Sequence, residues 1–276
     1  MTPINRYFDK VFWINADERE DRQIAMRTRL ADLGIHAERF RAHWKPVDHT
    51  GRLSANMGCT ASHRGVLELI CHFGWERTLI LEDDNVFLDN FAVKFSEFVG
   101  QAPREWDFLF LGGSYADNPK RRLSPNVVQT NGLMTTSSYG ITYKMARKMA
   151  PHISGSAGID AIYHQFQRDN VCLMCSPRLC VQGAGYSDIQ DREADHSMSM
   201  LDARHEEMLL DGKAEQRGEE LILRGRLQRR ELAAPHDANG EEVIVEGELY
   251  RIVRLELPAH RPSWFRDEPC TYVLSK

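Results

Sequence analysis

The sequence predicts an α/β fold, in which a mostly parallel sheet carries helices on its faces and a small β-rich appendage follows. Short apolar runs typical of buried strands alternate with helical patterns up to about residue 200. Beyond that point the chain is more charged and its pattern becomes β-like. The length of 276 residues suffices for about two domains. We therefore expect an α/β domain over residues 1–200 and the appendage over residues 201–276.

The first half of the predicted domain pairs each strand with a helix. A β-rich run at residues 11–15 precedes an amphipathic segment at residues 21–33, which Gly34 ends. Residues 62–73 form the second predicted helix, because their apolar positions follow the i, i+3, i+4, i+7 spacing of one helical face. Strands are also expected at residues 37–42, 78–81 and 108–111, and a helix at residues 91–99.

The second half continues the alternation less regularly. We expect extended segments at residues 127–128, 134–142 and 171–174, and helices at residues 144–149 and 160–167. In the appendage, β-like stretches at residues 221–232 and 242–257 flank Asn239 and Gly240, a dipeptide typical of tight hairpins. The appendage is therefore expected to contain antiparallel strands.

Composition excludes several classes of function. With 35 basic and 40 acidic residues the net charge is −5, so no strong positive field favours nucleic acid. No apolar stretch approaches the roughly 20 residues of a membrane span, so any membrane association is expected to be peripheral. Polar and charged residues among the first ten lead us to expect no apolar signal segment there, and six cysteines are too few for a disulfide scaffold. We expect a cytoplasmic protein with reduced thiols.

Three consecutive carboxylates follow a predicted buried strand at Glu82, Asp83 and Asp84. Open α/β sheets bind ligands at the carboxyl ends of their strands, so this position favours a site. Alternation along an extended chain places Glu82 and Asp84 on one side, where they can share Mg²⁺ or Mn²⁺. A bound cation would let this acidic edge accept a diphosphate. The alternative is a solvated acidic loop with no ligand.

A second polar stretch, residues 58–64, is expected to open the second helix. Ser62 is a candidate N-cap, and the exposed N–H groups of a helix start favour an anion. His63 continues the buried stripe of that helix toward the strand-end crevice; the alternative is a partly buried capping histidine. Cys59 is expected to be a small core residue.

The loop after the first strand is also polar, and Arg19 or Arg22 could contact phosphate or base there. The pair Cys172 and Cys175 has metal-ligand spacing but lies in an apolar strand without a second Cys or His pair. Core packing is therefore the preferred interpretation of these two cysteines over zinc binding.

Five short motifs then occur in one order along the chain: Ile14-Asn15 with Asp17, Asp21 and Arg22; Gly58-Cys59 with Ser62-His63; residues 79–84; Trp106-Asp107 with Leu111-Gly112; and Gln182 with Ser187-Asp188-Ile189. In this order and spacing they resemble glycosyltransferase family 25, over about residues 8–195. That family includes bacterial lipooligosaccharide galactosyltransferases and relatives of the collagen galactosyltransferases.

The resemblance implies a GT-A-like, Rossmann-like nucleotide-sugar fold, a UDP-sugar donor (commonly UDP-galactose), Mn²⁺ or Mg²⁺, and inversion at the anomeric carbon. The implied acceptor is a saccharide or glycoconjugate, such as lipopolysaccharide. Matched position by position, the metal motif is Glu82, Asp83 and Asp84, with Glu82 and Asp84 as ligands. The expected donor contacts from the motifs are Asn15, Asp17, Arg22, Ser62, His63, Asp83, Gln182 and Ser187, and the polar loop after the first strand adds Arg19. The late motif Ser187-Asp188 is placed near the donor or the metal.

An inverting transfer also needs a base for the acceptor hydroxyl. Asp160 is the first candidate, because it opens a predicted helix after a glycine-bearing loop; its alternative role is helix capping. Asp188 is the second candidate, and His196 is a candidate late metal ligand.

Ala16, Glu18 and Asn56 depart from the family pattern. They keep a second hypothesis open, in which the chain is a glycosyltransferase-like binding module without catalysis. A metal phosphohydrolase is a weaker third interpretation, because no nucleophilic aspartate motif or histidine-rich set accompanies the carboxylates.

Overall fold

The computed structural model describes residues 2–44, 54–115, 121–154, 158–195, 210–217, 220–227, 242–245, 248–256 and 270–275. The chain divides into two compact units, Met1–Asp202 and Ala203–Lys276. Each unit has its own sheet. In the described part of the chain, no helix is both long and apolar enough to cross a membrane.

The first unit is an α/β unit built on an eight-stranded mixed sheet with strand order β2-β1-β3-β10-β5-β11-β8-β7. Its strands are β1 (Lys10–Asn15), β2 (Glu38–Arg41), β3 (Arg77–Glu82), β5 (Phe108–Phe110), β7 (Arg121–Ser124), β8 (Val127–Thr130), β10 (Ser138–Thr142) and β11 (Cys172–Cys175). Strands β10 and β8 run opposite to the other six. The α/β class and the mostly parallel sheet are therefore as predicted.

Six helices and a short 3₁₀ turn accompany the sheet in the described residues: α1 (Pro3–Tyr7), α2 (Glu20–Asp32), α3 (Ala55–Phe73), α4 (Phe91–Gln101), α5 (Tyr143–Met149), α6 (Ile159–Gln167) and the turn Ala150–His152. Strands β5 and β11 are buried along their whole length, which explains their continuous apolar sequences. Helix α3 contributes the fully buried Val66, Leu67 and Ile70 to the same core. Cys172 and Cys175 also lie in this core, as the packing interpretation predicted.

The predicted start of the second helix was wrong. Helix α3 begins at Ala55, and Ser54 is its N-cap, with a side chain that accepts a hydrogen bond from the Met57 N–H. Ser62 lies inside the helix, where its hydroxyl donates to the Gly58 carbonyl at 2.6 Å. The backbone N–H groups around Ser62 therefore belong to the helix and offer no anion site. Small and polar residues in the first turns of α3 lack the apolar period that would have revealed them.

Short two-stranded ribbons shape the carboxyl edge of the main sheet. Strand β4 (Asn85–Phe87) pairs antiparallel with β12 (Cys180–Gln182), which brings Gln182 beside the acidic segment. Strand β13 (Gly185–Ser187) pairs with β14 (Arg192–Ala194), and β6 (Ser114–Tyr115) pairs with β9 (Leu133–Met134). The first two ribbons carry the late motif to the ends of β1 and β3.

The second unit is an antiparallel sheet with strand order β15-β16-β19-β18-β17. Its strands are β15 (Leu210–Arg217), β16 (Glu220–Leu227), β17 (Glu242–Val245), β18 (Glu248–Glu256) and β19 (Cys270–Ser275). This is the β-rich appendage that the sequence predicted. The predicted Asn239-Gly240 hairpin lies outside the described residues.

Candidate active site

One cleft at the carboxyl ends of β1 and β3 gathers most of the predicted site residues. Strands β1 and β3 are parallel neighbours, with Ile14 opposite Glu82, so their following loops meet at one edge. The predicted residues that line the cleft are Asn15, Arg19, Arg22, Ser62, His63, Glu82, Asp83, Asp84, Gln182, Ser187 and Asp188. Asp17 and Asp160 are not part of its lining, and His196 lies outside the described residues.

Asp83 accepts hydrogen bonds from two side chains, one at the end of β1 and one in α2. Asn15 Nδ2 donates to Asp83 Oδ2 at 2.7 Å, and Arg22 Nη1 donates to Oδ1 at 2.9 Å. Burial raises the pKa of Asp83 above its ordinary value, although the Arg22 charge and the Asn15 hydrogen bond oppose this. Asp83 is therefore a fully hydrogen-bonded buried carboxyl.

Only one of the two carboxylate oxygens of Asp84 has hydrogen-bond partners in the described residues. Its Oδ2 accepts from Gln182 Nε2 at 2.9 Å and from Arg22 Nη1 at 3.2 Å. Its Oδ1 is buried and has no hydrogen-bond partner among the described residues. Burial, reinforced by the charge of Glu82, raises the pKa of Asp84 to about 7. A buried carboxylate oxygen without a hydrogen-bond partner, on a residue that lines the cleft, can serve as a ligand for a cation.

Glu82 turns toward the helix side of the cleft. Its Oε1 accepts from Thr136 Oγ1 at 2.7 Å and contacts His63 Nε2 at 3.2 Å. Burial alone would raise the pKa of Glu82, but the interactions with His63 and Thr136 outweigh burial and lower it. The expected alternation of Glu82 and Asp84 against Asp83 was wrong, because β3 ends at Glu82 and residues 83–84 form a turn. One Arg22 nitrogen instead bridges Asp83 and Asp84.

Asp160 lies behind Glu82, connected to it through one hydroxyl. Thr136 Oγ1 is 3.1 Å from Asp160 Oδ1 as well as 2.7 Å from Glu82 Oε1. A threonine hydroxyl carries a single proton, so it can donate to only one of the two carboxyls at a time. Burial, with the charge of Glu82, raises the pKa of Asp160. The predicted capping role was wrong, since Gly158 is the N-cap of α6.

His63 is fully buried and connects the cleft to the core. Its Nδ1 is 2.8 Å from Tyr139 Oη, which in turn is 2.6 Å from Tyr163 Oη. This chain orients the imidazole so that Nε2 points at Glu82. The prediction that His63 continues the buried stripe of α3 is confirmed, while the capping alternative was wrong.

Two arginines connect the first loop to the late motif. Arg19 pairs with both Asp21 and Asp188, and its hydrogen bond to Asp21 raises its pKa further. Arg22 Nη2 donates to the Tyr186 carbonyl at 2.7 Å. Both guanidinium groups therefore line the cleft with their positions set by carboxylates and backbone.

Asp17 does not reach the cleft. Its carboxylate pairs with Arg39 and Arg41 on β2, each at 2.6 Å, and its pKa falls because of the Arg39 hydrogen bond. Arg39 Nε also donates to Asn15 Oδ1 at 2.9 Å. Asp17 and Arg39 therefore help to position Asn15 from outside the cleft. The first-loop motif thus contributes Asn15, but not Asp17, to the lining.

Several residues at the site were missed by the sequence. His43 and Trp44 follow β2 and line the cleft, and Thr136 lies before β10. Cys59, expected in the core, also lines the cleft, and Cys59, His63 and Glu82 each place one donor atom within 4.8 Å of the others. In the described residues this is the group of three or more such side chains whose donor atoms all lie close enough to hold one ion. The polar run at residues 58–64 was the available signal for Cys59.

Sequence comparison finds distant relatives over about half of this chain. No protein-family model matches the chain. The chain is 30% identical over 166 residues to "Procollagen lysyl hydroxylase and glycosyltransferase" of Acanthamoeba polyphaga mimivirus, covering 48% of this chain and 18% of that protein. It is similar in sequence to glycosyltransferases. "Procollagen galactosyltransferase 2" of Mus musculus is 25% identical over 51% of this chain and 27% of its own length. The chain thus matches about a fifth to a quarter of these relatives.

Solved structures give only distant likenesses. A197 from STIV has a TM-score of 0.36 at 12% identity, covering 68% of this chain and 95% of that one. A glycosyltransferase involved in glycosylation of the major capsid of PBCV-1 has a TM-score of 0.31 at 8% identity, covering 61% and 93%.

Proposed function

We propose that this chain is a metal-dependent, inverting glycosyltransferase of the family 25 type that transfers a hexose, galactose first, from a UDP-sugar to a glycan hydroxyl. The observation that carries the proposal is Asp84. This buried carboxyl lies at the carboxyl end of a parallel strand, beside Glu82 and Asp83, with one oxygen unpartnered. An oxygen-seeking divalent cation would supply the missing partner.

The proposed ligands of Mn²⁺ or Mg²⁺ are Glu82 and Asp84, with His196 as a further ligand. The donor chemistry fits, because hard cations prefer carboxylate oxygens and these two belong to one short segment. When bound, the cation would offset the negative charge that develops on the departing diphosphate.

The chain's own residues would bind and orient the donor. Asn15 and Gln182 fix the carboxyls of Asp83 and Asp84 through hydrogen bonds of 2.7 and 2.9 Å. Arg19 and Arg22 supply positive charge for the diphosphate, in a cleft where three consecutive carboxylates would otherwise repel it. Ser62, His63 and Ser187 would complete the donor contacts.

The acceptor proton needs a base, and two candidates remain. Asp188 lines the cleft, so it can contact a bound hydroxyl directly, although Arg19 partly neutralises it. Asp160 would act at one remove, through Thr136 and Glu82. Direct reach makes Asp188 the stronger candidate, a reversal of their order in the sequence-based prediction.

The acceptor class follows from the resemblance and from the names of the relatives. A saccharide such as lipopolysaccharide is one candidate acceptor. The protein would reach it from the aqueous, cytoplasmic side while associating peripherally with the membrane. The relatives named above act on procollagen, so a hydroxyl on a protein chain is the other candidate.

A screen of UDP-sugars for hydrolysis or transfer, with and without Mn²⁺, tests the proposal. We expect turnover of UDP-galactose that depends on the metal and is lost in D84A, which should remain folded. The exposed Asp89 lies outside the cleft, so D89A is the matched control and should turn over like wild type. Turnover by D84A equal to that of wild type would contradict the proposed role of Asp84 as a metal ligand.

The second candidate function is a binding module without catalysis. Its support is Arg22, whose guanidinium already bridges Asp83 and Asp84 where a cation would act. The departures at Ala16, Glu18 and Asn56 add to it. If the folded protein hydrolyses none of the UDP-sugars, that result would favour the binding module.

A further inference from the structure

We propose that Cys59, His63 and Glu82 form a second cation site in the cleft, one that selects a borderline divalent ion such as Zn²⁺. Their three donor atoms, a thiol sulfur, an imidazole nitrogen and a carboxylate oxygen, lie within 4.8 Å of one another. Ligand atoms in a tetrahedral zinc site lie roughly 3.3–3.8 Å apart, given bonds of about 2.0–2.3 Å. Only a small contraction separates the observed set from that geometry.

Rigid elements present all three donors. Cys59 and His63 are four residues apart in α3, so they project from the same face of one helix. Glu82 ends β3, and its backbone N–H donates to the Ser137 carbonyl at 2.8 Å. A site carried by a helix and a strand end needs little rearrangement to bind an ion.

The surroundings of His63 suit a metal ligand. Metal-bound imidazoles usually donate their other ring N–H to an outer partner, which fixes the tautomer. Here Nδ1 lies 2.8 Å from Tyr139 Oη, and Tyr163 Oη extends the chain at 2.6 Å. When an ion is bound, Nδ1 would donate to Tyr139 and the Nε2 lone pair would coordinate the ion together with Glu82 Oε1, which lies 3.2 Å from Nε2. Without an ion, the Nε2–H hydrogen bond to Glu82 takes that place.

The donor set also determines which ion it takes. Thiolate and imidazole favour Zn²⁺ or Co²⁺ over Mn²⁺ and Mg²⁺, which prefer oxygen. All three residues line the cleft, so a fourth position stays open to water or a ligand, as in catalytic zinc sites. Glu82 also belongs to the proposed Mn²⁺ set, so zinc occupancy would remove one of its ligands.

Cobalt spectroscopy tests the site without any activity assay, so its outcome is separate from that of the proposed function. Co²⁺ added to the reduced 276-residue chain should give a sulfur-to-cobalt charge-transfer band at one equivalent. The band should vanish in C59S and on addition of Zn²⁺, but persist with equimolar Mn²⁺. Cys71, also on α3 but outside the donor set, provides the matched control C71S, which should keep the band.

The absence of a band in the wild-type chain, or its full retention in C59S, would overturn the proposal. Circular dichroism checks that C59S is folded. Should C59S fail to fold, H63Q replaces it, and Co²⁺ affinity must then fall at least about tenfold relative to wild type. Unchanged affinity in H63Q would equally overturn the site.

Discussion

Replacing Asp84 by asparagine should stabilise the metal-free protein above neutral pH. The folded state raises the pKa of Asp84 from 3.8 to about 7, because burial and the Glu82 charge disfavour the anion. Between these values the unfolded chain releases its proton while the folded chain keeps it, so wild-type stability falls as pH rises. Above about pH 7 the folded protein carries the full cost of the buried charge.

The size of the effect follows from the shift. About three pKa units at about 1.4 kcal/mol each set an upper limit of about 4 kcal/mol. Asparagine removes this cost, and the attraction of Arg22 for the carboxylate is already part of the shift, because it lowers the pKa of Asp84. We therefore expect D84N to be more stable than wild type by up to about 4 kcal/mol at pH 8 and equally stable near pH 4.

Urea unfolding in chelator-treated buffer at pH 4, 6 and 8, followed by tryptophan fluorescence, measures this difference. The control D89N changes an exposed carboxylate outside the cleft and should leave the pH dependence as in wild type. A D84N stability below that of wild type at pH 8, or a difference that does not grow between pH 4 and 8, would refute the reasoning about buried charge.

Two further predictions concern the cleft and the core. R19A should weaken UDP binding in calorimetry about tenfold and change the free energy of unfolding by about 1 kcal/mol or less. R27A, on the exposed face of α2, is the control and should bind UDP like wild type. G140A should destabilise the protein by about 1–3 kcal/mol in thermal unfolding, because a Cβ there would lie 2.7 Å from the buried Phe8 ring. G100A, in open space on α4, should instead stabilise by about 0.5–1 kcal/mol, and the same sign for both glycines would contradict the packing account.

The sequence predicted the parts of the site that depend on strand ends. Parallel strands place their carboxyl ends at one edge, so Asn15 and the 82–84 segment could be brought together from pattern alone. The order of motifs predicted that Gln182 and Asp188 belong with them, and both line the cleft.

What the sequence did not predict depends on local geometry and on distant pairing. The predicted alternation of side chains along an extended chain does not hold at residues 83–84. A turn follows β3 there and directs the carboxyls of Asp83 and Asp84 to Arg22. The contact of Thr136 with Asp160 joins residues far apart in the chain, after Thr135 at a positive φ of 71°. No periodic pattern encodes such contacts.

Calorimetric titration of UDP into the 276-residue chain, with and without Mn²⁺, is the decisive measurement for a metal-dependent donor site. UDP should bind only with Mn²⁺, and D84A should not bind it, because the acidic edge repels a diphosphate until a cation occupies it. D89A should bind like wild type. Absence of UDP binding under both conditions by the folded protein, or equally tight binding without metal, would contradict a metal-dependent donor site at Asp84.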